Sequence, residues 1–281
     1  MEQQTTTSAF PVSPYSTIAD RERIMEKAKK FNLLSNVFMS VALDDKPACQ
    51  HVLRILTDIP DLVVKEIRVQ YRISKLHSHD AILDVLAEDG HRKLYNLEIQ
   101  RSDTVDHARR TRFYGAMIDG EYLQKGKTYA ELPDVYIIYI SETDLWNAGY
   151  TVYPVKKCFR NAEITYEDGQ HILYVNAEVD DGSPTARLMK YFKTADPKDM
   201  SQGDLSRRIH DLKSAEGGDA KMYDVAEEIY REGIERGLQQ GTEHTVKTML
   251  KHGFTDEQIL LGTGITKSRL EEIKGEMAEL V

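Results

Sequence analysis

Ala81-Ile-Leu-Asp-Val-Leu-Ala-Glu-Asp-Gly-His-Arg-Lys-Leu-Tyr-Asn-Leu-Glu-Ile-Gln100 reads as a β-hairpin with an acid set into each arm. Two apolar, strand-like runs flank the turn residues Glu88-Asp-Gly-His91. Asp84 sits in the first run and Glu98 in the second, each among apolar neighbours. A solvated loop holds a carboxylate at no cost, whereas a half-buried strand does not. Desolvating such a group calls for a basic neighbour, protonation or a divalent cation. The third option makes a metal-dependent enzyme.

Side chains alternate along a strand, so Glu98 and Gln100 share one face while Leu97 and Ile99 take the other. Whether Asp84 joins them depends on the turn. A two-residue Asp89-Gly90 turn pairs position 84 with 95 and puts Asp84 on the opposite face. A three-residue loop with Gly90 in the left-handed conformation pairs 84 with 96 and gathers Asp84, Asn96, Glu98 and Gln100 on one face. A site built from both acids requires the odd-length loop.

Composition bounds the rest. The chain has 281 residues, 41% hydrophobic and 30% charged, enough for one large domain and a smaller appendage. No apolar run approaches the roughly 20 residues that span a bilayer, so no membrane partner is expected. Met1-Glu-Gln-Gln-Thr-Thr-Thr-Ser8 lacks the basic start and apolar core of a signal peptide. The two cysteines, Cys49 and Cys158, form no C-x-x-C pair, which fits a reducing cytoplasm and neither a disulfide framework nor a zinc site. The net charge of −9 argues against a surface that grips nucleic acid all over, although a local basic track stays compatible with it.

Residues 1–18, rich in Thr, Ser and Pro, read as a disordered segment. Asp20 to Leu43 shows helical spacing through Ile24, Phe31, Phe38 and Val41, and Pro47 opens a second helix carrying Val52, Leu53, Ile55, Leu56 and Ile59. Val63 to Tyr71 alternates as a strand ahead of the hairpin. A helix is predicted from Asp103 to Gln124, then a doubly buried strand at Asp134-Val-Tyr-Ile-Ile-Tyr-Ile140. Further strands are predicted at Lys156–Tyr166 and His171–Glu178, with helix over 184–231 broken at Glu216-Gly-Gly-Asp219. The order predicts an α/β fold, a mixed central sheet flanked by helices over 19–200, with a helical C-terminal extension over 201–281. In that extension Gly233, Gly237 and Gly241 recur every fourth residue, each costing a helix about 1 kcal/mol relative to Ala. Such a stripe suits close approach of a partner helix and predicts a homodimer. Short helices follow at Val246–His252 and Asp256–Leu261, and Thr266 caps a last one.

The ordered pieces resemble the PD-(D/E)xK nuclease family transposases, related to the recombination-promoting nucleases. They are Ile82-Leu-Asp-Val-Leu-Ala87, Asn96-Leu-Glu-Ile-Gln100, Arg112-Phe-Tyr114, Gly126-x-x-Tyr129-x-x-Leu132, Tyr139-Ile-Ser-Glu-Thr-Asp-Leu145, Asp168-Gly-Gln-His-Ile-Leu-Tyr-Val-Asn176 and the Glu-Gly-Ile-x-x-Gly tail. A lone Asp with a Glu-x-Gln carries little information, but the set, spread over residues 30–275, is specific. Two departures stand out. Gln100 occupies the place of the lysine in the better-known Glu-x-Lys pattern, though Gln is usual in this family, and Asn36 stands before Val37-Phe38 where relatives are expected to carry Asp.

The resemblance implies a restriction-endonuclease-like core acting as a metal-dependent DNA endonuclease linked to transposition or recombination. Asp84, Glu98 and the backbone carbonyl of Ile99 would bind Mg²⁺, with Mn²⁺ as a substitute, and Gln100 would orient the attacking water. An amide has no useful protonation near neutral pH, so Gln100 is not a general base. Arg101, Arg109 and Arg112 are candidates for DNA phosphates, the last two being neighbours at i, i+3 while Arg110 points elsewhere. Their alternative is a solvated helix face paired with Asp103 and Asp106. Asp168-Gly-Gln-His171 reads as a turn, and the tyrosines at 136, 139, 150, 153 and 174 as sheet packing. Net acidity, Asn36 and Gln100 suit a competing function, a catalytically inactive nuclease fold that binds DNA or protein.

Overall fold

The computed structural model describes residues 30–74, 80–100, 106–161, 164, 166–214, 237–238 and 240–278. The hairpin forms as β2 (Ala81–Asp89) and β3 (Leu94–Gln100). Before it come α1 (Asn36–Leu43), α2 (Lys46–Thr57) and β1 (Val64–Ile73). After it come α3 (His107–Tyr122), a 3-10 turn at Tyr129–Glu131, β4 (Val135–Ser141), β5 (Val152–Pro154), β6 (Gln170–Asn176), α4 (Pro184–Thr194) and α5 (Gly203–Lys213). The six strands form one mixed sheet in the order β1-β2-β3-β4-β6-β5. The first three are antiparallel, β3, β4 and β6 are parallel, and β5 pairs antiparallel on the far edge.

Helices cover both faces, and the strand sequences show why they must. On β2, Leu86 faces a cluster with Leu94, Ile137, Tyr114, Met117 and Ile118, so α3 lies on that side. Val85, Ala87 and Leu97 are equally inaccessible and alternate to the other side, where α1 and α2 pack on β1, β2 and β3. Asp45 caps α2 by accepting from Ala48 N at 3.0 Å, Pro47 sits in its first turn, and Val52, Leu53 and Leu56 point inward. β4 is buried over most of its length, as a central strand should be.

Three boundaries depart from the sequence reading. Residues 30–35 hold no helix, so α1 starts at Asn36 where the spacing predicts helix from Asp20; residues 20–29 lie outside the described ones. The expected strand at Lys156–Tyr166 is replaced by the three-residue β5, followed by a loop closed by Tyr166 N to Lys157 O at 3.0 Å. Pro154 sits on this edge strand opposite Leu173, where its missing donor costs no ladder bond, and Val155 N still donates to Ile172 O at 2.9 Å. Third, α5 lies beyond residue 200 and packs on α2 within the sheet-bearing unit.

The chain divides into two compact units, and the second holds the described residues from Gly237 onward. Its helices are α6 (240–251), α7 (Asp256–Thr263) and α8 (Lys267–Ala278). Val246, Ile259, Leu270 and Ile273 are its small core. Thr255 and Gln258 form a reciprocal cap on α7, and Thr266 Oγ1 accepts from Arg269 N at 3.3 Å, the cap expected of it. Among the described residues, a Cβ at Gly237 or Gly241 would meet nothing within 4 Å, so neither glycine serves close packing there. Gly233 lies outside the described residues, as do residues 1–18. Among the described residues no helix is long and apolar enough to cross a membrane.

Candidate active site

The hairpin loop has the odd length that the site requires, shifted by one residue. Asp89 N donates to Lys93 O at 3.0 Å, leaving Gly90, His91 and Arg92 as the loop. The left-handed residue is Arg92 (φ 65°), not Gly90 as expected. The reason is the side chain of Asp89. Its Oδ1 accepts from His91 N at 2.8 Å and Lys93 N at 2.9 Å, and its Oδ2 from the Tyr95 hydroxyl at 2.9 Å. This Asx-type closure moves the turn toward the C-terminus. The register becomes Glu88 opposite Leu94 through Val85 opposite Leu97, so the next residue, Asp84, faces Glu98 itself rather than Asn96.

At that point the two strands part. Paired backbone ends at Val85 and Leu97, and the acids take over the bonding. Ile99 N donates to Asp84 Oδ2 at 3.0 Å, and Asp84 N donates to Glu98 Oε1 at 3.3 Å. Leu83 and Leu86 both reach the α3-side core although three residues apart, so strict alternation is interrupted around Asp84. Across from it, between Val69 and Tyr71 of β1, Gln70 adopts φ 48°. A non-glycine residue in the left-handed region of a strand costs on the order of 1–3 kcal/mol, and such strain concentrates at functional sites. Gln70 Nε2 reaches Asp84 Oδ1 at 3.5 Å and Ser40 Oγ at 2.9 Å. Ser40 in turn lies 3.1 Å from the Asp84 carbonyl oxygen and 2.8 Å from that of Asn36. The first turns of α1 thus brace the backbone of Asp84.

Both acids are buried, Asp84 at 8% exposure and Glu98 at 3%. Burial, then the facing charge of Asp84, pushes the Glu98 carboxyl well above the ordinary glutamate range. Three groups oppose that rise more weakly: the Asn96 amide, Asp84 N–H and the Arg110 guanidinium. Asn96 is wholly enclosed, and neither polar atom of its side chain reaches hydrogen-bonding geometry with a partner.

Gln100 lies one turn of the pleat further on. Its Oε1 accepts from Arg110 Nη1 at 2.7 Å, and Arg110 Nε donates to the Tyr114 hydroxyl at 2.8 Å. Arg110 is thus the α3 arginine that enters the site, a correction to the expectation that it points away. Burial and the negative charge of Glu98 raise the pKa of Tyr114. Arg109 and Arg112 sit on the exposed face of α3, and Arg101 lies outside the described residues. The signal for Arg110 was in the sequence: Tyr114 belongs to the buried stripe with Thr111, Met117 and Ile118, and Arg110 precedes it by one helical turn. Gln70 and Ser40 left no such trace.

Among the described residues, no three His, Cys, Asp or Glu side chains converge to hold a metal. The donor set is a carboxylate pair. That suits Mg²⁺, which binds through one or two carboxylates and retains several waters, and does not suit a closed all-protein cage.

The mixed sheet flanked by helices, with acids at the parting of its second and third strands, is a PD-(D/E)XK nuclease-like α/β fold. Residues 53–179, from α2 through β6, match the family described as PD-(D/E)XK nuclease family transposase. No curated protein and no solved structure matches the chain.

Proposed function

We propose that this protein is a metal-dependent DNA endonuclease that hydrolyses phosphodiester bonds in the course of transposition or recombination. One observation supports the reading above others: Asp84 and Glu98 face each other, buried, where β2 and β3 separate, and burial followed by the charge opposite raises the Glu98 carboxyl above its ordinary range. Two acids forced together in this way are costly to ionise and gain most from a divalent cation. The Asp84 and Glu98 carboxylates and the Ile99 carbonyl would hold Mg²⁺, or Mn²⁺ in its place. When bound, the ion supplies charge neutralisation at the phosphate and lowers the pKa of a water. Gln70, Ser40 and Ile99 N–H keep Asp84 in place. Arg109 and Arg112, side by side on the outer face of α3, would follow DNA phosphates. A homodimer through the stripe of Gly233, Gly237 and Gly241 would bring two sites to one duplex, and a reducing cytoplasm suits the unpaired cysteines.

Purified protein is expected to nick or linearise supercoiled plasmid in Mg²⁺ or Mn²⁺ and to stop in EDTA. Absence of metal-dependent cutting on both duplex and single strands would shift the reading to an inactive nuclease fold that binds DNA or protein.

A further inference from the structure

Gln100 is an amide where the better-known pattern has a lysine, and its surroundings state what it does instead. Arginine only donates, so the amide atom facing Arg110 Nη1 at 2.7 Å must be the carbonyl oxygen. The amide is therefore oriented by chemistry, with Oε1 toward Arg110 and Nε2 as its donating end. Arg110 is itself fixed from behind, by Nε to the Tyr114 hydroxyl at 2.8 Å and by its guanidinium lying 5.6 Å from that ring's centre. A cation bonded to Oε1 weakens that oxygen as an acceptor and polarises the N–H bonds of Nε2.

A polarised donor is the wrong group for an attacking water. It accepts no proton, and a hydrogen bond donated to the water lowers its nucleophilicity. It is the right group for a non-bridging phosphate oxygen, where negative charge must be stabilised during transfer. We infer that Arg110 is a positioning residue that fixes Gln100 as a donor to the scissile phosphate, the pair together doing what one lysine at position 100 would do. This inference rests on the nuclease reading above and revises the role of Gln100 from holding the water to holding the phosphate.

Epistasis between the two positions tests it. Plasmid cleavage in Mn²⁺, Mn²⁺ binding by calorimetry and thermal melting are measured on the full chain carrying Arg110→Met, Gln100→Lys or both. Arg110→Met is expected to lose cleavage about 30- to 100-fold. Its Mn²⁺ affinity is expected to hold or tighten, because a positive charge leaves the neighbourhood of the carboxylates. Gln100→Lys alone is expected to lower cleavage, since it sets an ammonium beside Arg110. In the Arg110→Met background the same substitution is expected to restore cleavage to within about fivefold of wild type. This reversal of sign is something a merely structural arginine cannot produce.

Cleavage by Arg110→Met within about threefold of wild type, or a Gln100→Lys effect of the same sign in both backgrounds, overturns the inference. So does loss of Mn²⁺ binding together with cleavage in Arg110→Met. Should Arg110→Met fail to fold, Gln100→Glu replaces it. That change strengthens the contact with Arg110 but removes the donor, so cleavage is expected to fall as far with the melting temperature retained, and unaltered cleavage overturns the inference. A wild-type protein that cuts nothing refutes the nuclease reading and this role with it. An active wild type with an indifferent Arg110→Met refutes this role alone.

Discussion

Glu98→Gln is expected to cut metal-dependent cleavage about 10³-fold, equivalent to about 4 kcal/mol of transition-state stabilisation, while making the metal-free protein more stable. The two effects have one cause. Glu98 is almost fully buried against Asp84, and burial and that charge hold its carboxyl well above the ordinary range. The neutral amide keeps the shape and an oxygen to accept from Asp84 N, yet removes the repulsion. A gain of about 1–3 kcal/mol follows, or ~2–4 °C in melting temperature per kcal/mol for a chain of this size class.

The pH dependence has a definite sign. Because the folded pKa of Glu98 is raised, the folded state keeps a proton that the unfolded chain releases near 4.5. The contribution of that proton is complete below this value and is lost as pH rises through the raised one. Metal-free wild type is therefore expected to lose stability across that interval and Glu98→Gln to lose less. Mg²⁺ or Mn²⁺ should raise the wild-type melting point and leave that of Glu98→Gln unchanged. Equal metal responses in the two proteins would remove Glu98 from the metal site.

The shared face of Asp84 and Glu98 was legible because strand parity is a property of sequence alone, once the loop is taken as odd. The register itself was not. Gly90 is the conspicuous turn residue, but the Asp89 carboxylate, by collecting three donors, places the loop after itself and puts Arg92 in the left-handed region. Side-chain hydrogen bonds that compete with turn propensity leave no periodic signature. α3 misled for a different reason. Arg109 and Arg112 share one side of the helix and Arg110 lies on another, and only the buried stripe through Thr111, Tyr114 and Ile118 shows which side turns inward. Gln70 is harder still, since its left-handed backbone sits in an ordinary strand sequence and is held by contacts from α1 and β2. The acids of the site were readable as chemistry, whereas the groups that orient them are set by tertiary contacts distant in sequence.

If Asp89 sets the register, its loss should be felt both in stability and at a site it does not touch. Asp89→Ala strands the Tyr95 hydroxyl, which is fully buried and stacked on Tyr136 at 4.9 Å between ring centres. It also frees the amides of His91 and Lys93 from their shared acceptor. One buried unsatisfied hydroxyl and two weakened turn bonds add to about 3 kcal/mol, or ~6–12 °C in melting temperature. Asp89→Asn is expected to cost about 1 kcal/mol, because Oδ1 survives for the two amides and only the Tyr95 contact is compromised. The consequence for the site follows from parity. A one-residue slip of the hairpin carries Asp84 to the face opposite Glu98, so the population that slips binds no metal. Asp89→Ala should therefore lose part of the Mn²⁺-induced rise in melting temperature, and Asp89→Asn should keep it. Tyr95→Phe separates the two effects: it removes the hydroxyl without touching the turn, so it should cost stability and leave the metal response whole. If Asp89→Ala keeps the full metal response despite its lower melting point, sheet packing rather than the turn fixes the register that opposes the two acids.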